Sequence, residues 1–348
     1  RDRGLSVIKP FVGTNSDVPA EATVSLARHG SLRGLVLSEG INPFLSDLDT
    51  FAMAATVVDE AVRRQICAGA SLDRIAALDN FCWPDPVRSD KTPDGEYKLA
   101  QLVRACQGLY ATCSAYGVPL ISGKDSMKNE STMGGVKICV PPTLLLSAIG
   151  QLDDVRNALT LDFKTSGDVI FILGQTGTHT GGSEYFRYLG ERDGLEAELG
   201  EPAPYVGSHP PTVDPATTMP IYRELRQAIA DGLVRSAATP TKGGLAVSLA
   251  KCAIGGQLGA DLDLRDCPGM TDLEDDIALF SESNGRFVIT VSADDAEAFE
   301  ARFSELDCQQ VGTVSDQDRL RVQRGDSTLI DLSIDDLRQR FKEGLANA

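Results

Sequence analysis

One stretch of the chain, residues 118–130, decides how the rest is interpreted, and it reads Val118-Pro119-Leu120-Ile121-Ser122-Gly123-Lys124-Asp125-Ser126-Met127-Lys128-Asn129-Glu130. Its apolar start, residues 118–121, is typical of a buried strand, and Gly123 is expected to end that strand in a sharp turn. Backbone N–H groups at such a turn can bind an anion, helped by a nearby ammonium and hydroxyl. The stretch therefore predicts either a phosphate-binding turn or an ordinary polar turn.

The stretch does not fit the P-loop, whose pattern is G-x-x-x-x-G-K-[S/T]. Gly117 and Gly123 are one residue too far apart, and Asp125 stands where a Ser or Thr would hold magnesium. The residues that follow also lack the apolar face of a P-loop helix. A P-loop nucleotide site is thus excluded, and the rest of the chain must decide between the two remaining interpretations.

Length and charge set the broad class. A chain of 348 residues, 42% hydrophobic and 24% charged, predicts a globular protein of two domains. No run approaches the ~18 apolar residues of a membrane span, and nothing at the start suggests export. The first residue is Arg1 rather than Met, so a fragment of a longer protein is expected. A net charge of −17 disfavours nucleic acid and membrane partners, so a phosphorylated substrate would need local positive charge or magnesium.

The cysteine and histidine content limits the chemistry further. The eight cysteines show no CxxC pair and no metal-ligand spacing, which predicts mostly buried free thiols in a cytoplasmic, reducing compartment. The only histidines are His29, His179 and His209, so histidine chemistry has few candidates.

Hydrophobic periodicity predicts alternating strands and helices in both halves, and hence an α/β or α+β fold. The predicted helices include Thr50–Cys67 and one whose apolar stripe runs from Leu99 to Cys113; the predicted strands include Thr23–Leu26 and residues 34–37, 143–149 and 168–173. On the first helix, Glu60 and Arg64 have the spacing of a surface ion pair. The polar segments 184–199 and 201–215 are predicted to be partly loop.

A polar stretch near residues 154–168 predicts the domain boundary, which gives domains 1–155 and 156–348. Just beyond it, a glycine-rich loop contains Gly174, Gly177, Gly181 and Gly182, with His179 inside. Such a loop can hold phosphate, but it lacks GxGxxG spacing and is equally typical of a packing turn.

Six short segments together resemble one family, the synthetase subunit of phosphoribosylformylglycinamidine synthase. They are Asp79-Asn80-Phe81, residues 121–127, residues 145–150, residues 181–185, residues 243–247 and residues 279–283. The string Gly-Lys-Asp-Ser-Met at 123–127 is the most specific. The resemblance covers nearly the whole chain and implies the fold of that family: tandem halves, each an aminoimidazole-ribonucleotide-synthetase-like pair of layered domains. This chain resembles the second half only, and its N-terminal domain is expected to contribute strands to a barrel with another half or subunit.

The resemblance also implies a reaction. ATP phosphorylates the amide oxygen of formylglycinamide ribonucleotide, and ammonia from glutamine then displaces phosphate to leave an amidine. The implied cofactors are ATP and Mg²⁺, bound mainly through the missing first half. The implied partners are that first half, a glutaminase subunit or domain and the phosphorylated substrate, and a homodimer is possible. The catalytic histidine of the first half has no counterpart here, so no catalytic residue and no metal ligand are predicted.

Four residues carry roles that the resemblance implies. Asp79 matches an aspartate that contacts ATP, Gly123 a glycine that lies against the nucleotide, and Ser126 a serine that contacts the substrate. Lys124 stands where some relatives have a magnesium-binding asparagine. An ammonium group cannot ligate Mg²⁺, but it can contact phosphate as a point charge. The alternatives are a turn-capping role for Asp79 and a simple loop hydroxyl for Ser126.

The long single-chain form of the family has an extra nucleotide site, which this sequence departs from. Glu60 keeps the matching glutamate, but Arg64 replaces an asparagine ligand, and residues 238–242 read Ala-Thr-Pro-Thr-Lys instead of a His-Asp-x-Ser-Asp string. Two oxygen ligands are gone and two cations have appeared. The sequence therefore predicts that this extra site is absent or metal-free.

Three functional interpretations remain open. The chain is part of an ATP-dependent carbon–nitrogen ligase whose active site is shared with another half, or a non-catalytic scaffold half of that enzyme. The third interpretation is a complete enzyme of the same fold, such as a small-molecule kinase or aminoimidazole ribonucleotide synthetase. That interpretation expects an acidic, metal-binding N-terminal segment, which is not obvious here.

Overall fold

A computed structural model describes residues 4–193 and 207–344. In these ranges the chain forms two α/β layers that pack against each other, as the alternating pattern predicts. Besides the longer helices there are short 3-10 turns at Pro43–Asp47, Leu72–Arg74, Val155–Asn157 and Ala293–Asp295. No helix in the described ranges has both the length and the apolar character needed to cross a membrane.

The N-terminal domain is a six-stranded sheet with helices on one face. Its strands are β1 (Ser6–Ile8), β4 (Thr23–Leu26), β5 (Gly34–Ile41), β6 (Ala76–Cys82), β7 (Leu120–Ser126) and β10 (Thr143–Leu152). Two small hairpins accompany it, β2 (Phe11–Val12) with β3 (Val18–Pro19) and β8 (Glu130–Met133) with β9 (Val136–Cys139). The helices are α1 (Thr50–Cys67) and α2 (Gly95–Tyr116). The strand order is β1-β4-β5-β10-β6-β7; all pairs are antiparallel except β6 with β7, which is parallel.

The C-terminal domain is a seven-stranded sheet in the order β12-β14-β11-β15-β13-β16-β17. Its strands are β11 (Val169–Leu173), β12 (Val234–Ala238), β13 (Gly259–Asp263), β14 (Phe287–Val291), β15 (Cys308–Ser315), β16 (Leu320–Arg324) and β17 (Ser327–Leu332). The helices described here are α3 (Glu184–Asp193), α4 (Pro215–Ala230), α5 (Gly244–Gly256), α6 (Asp275–Phe280), α7 (Ala296–Arg302) and α8 (Ile334–Glu343).

Helix α1 lies between the two domains and is buried on nearly every side. It packs on β5, β10 and α2 in its own domain and on α4 and β12 in the other. The approach to β5 is close, because a Cβ added at Gly40 would lie 2.0 Å from the Val57 carbonyl oxygen. One apolar core therefore runs through both domains, so they are positioned by a shared element rather than by a linker.

The key stretch folds differently from its prediction. Residues 118–121 were expected to form a buried strand that ends at Gly123, but β7 continues through Gly123 to Ser126. Leu120 is 41% exposed and Ile121 is 66% exposed. The reason is the position of β7 in the sheet: it is the last strand, and within the described ranges it pairs with β6 alone, which leaves one backbone edge open. An apolar run can indicate a strand, but it cannot show which neighbours cover it.

Within the polar segment 184–199, which was predicted to be partly loop, the residues Glu184–Asp193 form the helix α3. Arg187 lies 3.2 Å from Glu191 one turn along, and Tyr185 stacks on Phe280 at 4.7 Å between ring centroids. These contacts stabilise a helix that the polar composition of the segment does not indicate. Residues 207–214 are irregular, as predicted, and residues 194–206 lie outside the described residues.

The second face of the N-terminal sheet has no covering layer among the described residues. Leu37, on β5, is 50% exposed, and its neighbours Leu35, Leu145 and Ile149 are each only partly buried. On the opposite face the alternate residues Val36, Leu144 and Leu146 are fully buried under the helices. The sheet thus has two apolar faces, of which one is covered.

Candidate functional site

Strands β6 and β7 bring together the four residues that the sequence predicts to bind nucleotide or substrate. In the parallel register, Asp79 is opposite Gly123, Asn80 is opposite Lys124, and Cys82 is opposite Ser126. Residues more than forty positions apart in the chain therefore occupy one end of the sheet at its open edge.

Strand alternation, however, divides these residues between the two faces of the sheet. Asp79 and Gly123 belong to the face that carries the buried Phe81 and the covering helices. Lys124 and Ser126 belong to the uncovered face, beside Asn80. A ligand must therefore reach across the edge of β7, or bind through its backbone, to contact both pairs.

Gly123 allows the Asp79 carboxylate to lie directly over the backbone of β7. A Cβ added at Gly123 would be 3.0 Å from the Asp79 Oδ1 atom, closer than most real Cβ contacts. Burial raises the pKa of Asp79, and the neighbouring Asp125 carboxylate raises it further. Asp79 is on a strand and forms no helix cap in the structure, so the turn-capping alternative is wrong.

Lys124 is exposed and forms no ion pair or side-chain hydrogen bond within the described ranges. The nearby lysines are different: Lys128 lies 3.2 Å from Asp85, and Lys137 lies 3.0 Å from Glu130. Because its charge is not neutralised by a neighbour, Lys124 is available to an anionic ligand.

Ser126 is held in place by Asn129, a residue that the sequence-based reasoning missed. The Ser126 hydroxyl donates to Asn129 Oδ1 at 3.0 Å, and the Asn129 amide donates to the Ser126 carbonyl at 2.6 Å and the Trp83 carbonyl at 3.2 Å. The hydroxyl oxygen can still accept a hydrogen bond from a ligand. An Asn three residues after a Ser at a strand end is the sequence signal that could have indicated this arrangement.

The junction between the domains contains the residues that match the family's extra nucleotide site. Glu60 and Arg64 are paired at 2.6 Å, but Glu60 is only 5% exposed, so the prediction of a surface ion pair is wrong. The cause is the position of α1 between the domains. The Thr239 hydroxyl donates to the buried Glu21 carboxylate. The cavity lined by Glu60 and Lys242 is about 10 Å³, room for about one water molecule.

The glycine-rich loop after β11 is a packing turn. The Gly177 N–H donates to Ser283 Oγ at 2.9 Å, and the Gly181 N–H donates to the His209 carbonyl at 2.9 Å. His179 Nδ1 lies 2.8 Å from the same Ser283 hydroxyl. Burial lowers the pKa of His179, and the nearby positive charge of Arg286 lowers it further. These N–H groups are already bonded, which favours the packing interpretation over a phosphate cradle.

Glu282 connects two glycine-flanked helix starts and was not singled out from the sequence. Its Oε1 atom accepts hydrogen bonds from the Gly243 N–H at 2.8 Å and the Glu184 N–H at 3.0 Å. The side chain is almost fully buried, and burial raises its pKa to about 7. Glu282 therefore holds α3 and α5 together, and its protonation state changes close to neutral pH.

The described residues do not by themselves fit a resident Mg²⁺ ion. No group of three or more His, Cys, Asp or Glu side chains is placed to hold a metal in the described part of the chain. Asp79 and Asp125 lie near each other, but Lys124 offers no oxygen ligand. All eight cysteines are free thiols; Cys106 is the exposed one.

Comparison with known proteins places this arrangement in a family. Residues 28–151 match the profile of the AIR synthase related protein, N-terminal domain, and residues 165–325 match that of the C-terminal domain. The chain belongs to the AIR synthase related protein family. This confirms the fold class that the resemblance implied, with its two layered domains.

Among curated relatives, the chain is similar to the phosphoribosylformylglycinamidine synthase subunit PurL of Alkaliphilus metalliredigens. The two are 30% identical over 339 residues, which is 96% of this chain and 42% of the relative. The chain thus spans about two fifths of the length of that relative.

Two solved structures show the same fold at 18% identity. Thermotoga maritima PurL complexed with FGAR superimposes with a TM-score of 0.69 over 94% of this chain and 49% of that one. The same protein complexed with ATP gives a TM-score of 0.65 over 94% and 47% of the two chains.

We predict that Glu282→Gln removes a pH dependence of stability. Because burial raises the pKa of Glu282 above its unfolded value, the folded state binds more protons, and stability falls as pH rises through about 7. Between pH 5 and pH 8 the wild-type free energy of unfolding should fall by up to about 3 kcal/mol more than that of the variant. Urea unfolding at both pH values measures this. The exposed Glu297→Gln is the matched control and should follow the wild type; parallel behaviour of E282Q and wild type would contradict the prediction.

Proposed function

We propose that this chain is the second half of a phosphoribosylformylglycinamidine synthase and forms one wall of its ATP-dependent active site. The reaction would convert formylglycinamide ribonucleotide to its amidine with ammonia derived from glutamine. The observation that carries the proposal is the open edge at β6 and β7, where the unpaired Lys124, the positioned Ser126 and the Asp79–Gly123 contact lie together. The similarity to PurL proteins over most of the chain supports it.

Each residue at this edge has a chemically distinct role in the proposal. Lys124 offers its ammonium group to a phosphate, which the net charge of −17 would otherwise repel. Ser126 offers its hydroxyl oxygen to a polar hydrogen of the substrate. Asp79 would repel a phosphate, so it accepts hydrogen bonds from hydroxyl or amino groups of the nucleoside instead. Gly123 keeps the backbone of β7 accessible.

The remaining parts of the machinery are assigned to partners. We infer that Mg²⁺ is held mainly by the first half of the synthetase, since the described residues here do not form a metal site. A glutaminase subunit or domain would supply the ammonia. The domains are proposed to be residues 1–155 and 156–348.

The uncovered face of the N-terminal sheet is proposed to pack on the first half of the synthetase and complete a barrel. Leu37 and the open strand β7 both lie on this side of the molecule without a covering element in the described ranges. Open edges and exposed apolar faces are liabilities unless another chain segment covers them. The matching fold of the tandem halves makes the first half the expected occupant.

We predict that Leu37→Asp prevents association with a separately produced first half. A carboxylate placed in an apolar contact loses its hydration without a partner, so affinity should fall more than tenfold. The fold of the chain itself should change in stability by less than about 0.5 kcal/mol, since Leu37 is 50% exposed. Sedimentation velocity measures the association. The control is Leu332→Asp in the C-terminal domain, where the leucine is 45% exposed; equal loss or equal retention in both variants argues against the barrel contact.

We predict that the chain alone does not turn over formylglycinamide ribonucleotide but supports turnover with the first half and a glutaminase. Phosphoryl transfer needs metal and cations around the developing charge, which one wall cannot supply. In the assembled enzyme, Ser126→Ala should raise the substrate KM and Asp79→Ala the ATP KM, each by roughly tenfold. Phosphate release measures the rates, and Ser131→Ala on the exposed hairpin is the control. Unchanged Michaelis constants would favour the scaffold alternative, and activity of the chain alone would refute the shared site.

The extra nucleotide site of the family is proposed to be absent or metal-free in this chain. Glu60 is occupied by Arg64 at 2.6 Å and by the Ile41 N–H at 3.3 Å, and the surrounding cavity is about 10 Å³. A cation in place of an oxygen ligand repels Mg²⁺ at close range.

Calorimetric titration with ADP should therefore show no magnesium-dependent heat of binding that also depends on Glu60. We expect Glu60→Gln to bind ADP and Mg²⁺ just as the wild type does, since Glu60 is already paired. Circular dichroism checks that the variant is folded. A magnesium-dependent heat that disappears in E60Q, or a crystal structure with Mg²⁺ on Glu60, would show that the site is retained.

A further inference from the structure

The structure contains a second cavity, of about 560 Å³, at the other end of β7 from Lys124. Its walls are the last turn of α2, the 3-10 turn Leu72–Arg74 and one side of α4. The first two belong to the N-terminal domain and the third to the C-terminal domain. The size is within the range of small-molecule sites, roughly 300–1,000 Å³.

Two arginines from α4, Arg223 and Arg226, line this cavity. They are three residues apart and therefore lie on the same side of the helix. Neither forms an ion pair or a side-chain hydrogen bond within residues 4–193 and 207–344. Most other arginines in these ranges are paired; Arg302, for example, lies 2.5 Å from Asp231.

The two arginines differ in exposure: Arg223 is exposed and Arg226 is half-buried. The Nε atom of Arg226 is buried and has no hydrogen-bond acceptor among the described residues. Buried N–H groups in native structures almost always have a protein, water or ligand partner. Asp73 also lines the cavity but is exposed, and Asp231, whose pKa Arg226 helps to lower, is bonded to Arg302 and Gln227.

We propose that this cavity is a binding site for a small phosphate-bearing molecule, with Arg223 and Arg226 as its anion-binding groups. A guanidinium presents a planar fork of N–H donors that matches a phosphate oxygen pair, and two of them offset the charge of Asp73 with one positive charge to spare. The hydroxyls of Ser71 and Ser114 line the same cavity and supply further donors. A bound phosphate would connect α4 to α2 and so join the two domains.

The test uses pyrophosphate as the probe at constant ionic strength, with thermal unfolding of the whole chain as the measurement. Pyrophosphate should raise the Tm of the wild type in a saturable way, by roughly 4 °C at a hundredfold excess over Kd. R223Q/R226Q should lose at least tenfold in affinity. R235Q, which removes an exposed arginine on β12, should retain the wild-type response. K124Q, at the candidate active site, should retain the part of the response that R223Q/R226Q removes. K124Q also separates this proposal from the proposed function, because it alters only the latter.

A second variant guards against a folding defect in the double mutant. Ser114 is exposed on the last turn of α2, so Ser114→Glu should fold normally while placing a carboxylate in the cavity. It should abolish the pyrophosphate effect. The proposal is overturned if R223Q/R226Q or S114E responds like the wild type, if K124Q abolishes the response, or if pyrophosphate has no effect. An equal response to malonate would overturn the phosphate class.

Discussion

The buried ion pair between Asp59 and Arg63 on α1 is the interaction on which the arrangement of the two domains depends. The two side chains are 2.6 Å apart and essentially inaccessible to solvent. Arg63 also donates to the Pro240 carbonyl at 3.0 Å, and Asp59 accepts from the Tyr116 hydroxyl at 2.7 Å. Removing one member of such a pair leaves an unpaired buried charge and costs about 3–5 kcal/mol. Because the partners come from both domains, the pair determines how the domains meet.

The way the two domains meet also fixes the surroundings of α2. At one end, α4 is held against the last turn of α2 and leaves the arginine-lined cavity between them. In the N-terminal domain, α1 and α2 cover one face of the sheet, whereas the second face and the edge at β7 have no covering element among the described residues. The uncovered face and the edge strand β7 are the surface on which the proposed contact with the first half of the synthetase rests.

The pairing of charged side chains bears on both proposed sites. Many cations of this acidic chain are paired with neighbouring carboxylates, and Lys124, Arg223 and Arg226 are among those that form no ion pair within the described ranges. An unpaired cation in a protein of net charge −17 gives a local positive charge that the overall charge would not suggest. Both proposed sites are built on this principle.

Much of this protein could be predicted from the sequence, because periodicity and short motifs report local geometry. The helix Thr50–Cys67 and the alternation of strands and helices were visible in the chain itself, and so were Asp79 and residues 123–126, on which the proposed site is built. The tertiary structure decided the rest. Whether β7 was buried, whether Glu60 and Arg64 faced water, and on which face of the sheet Asp79 and Ser126 lay all depended on which elements were neighbours. Burial and facing are properties of pairs of elements distant in sequence, so no local pattern of residues could report them.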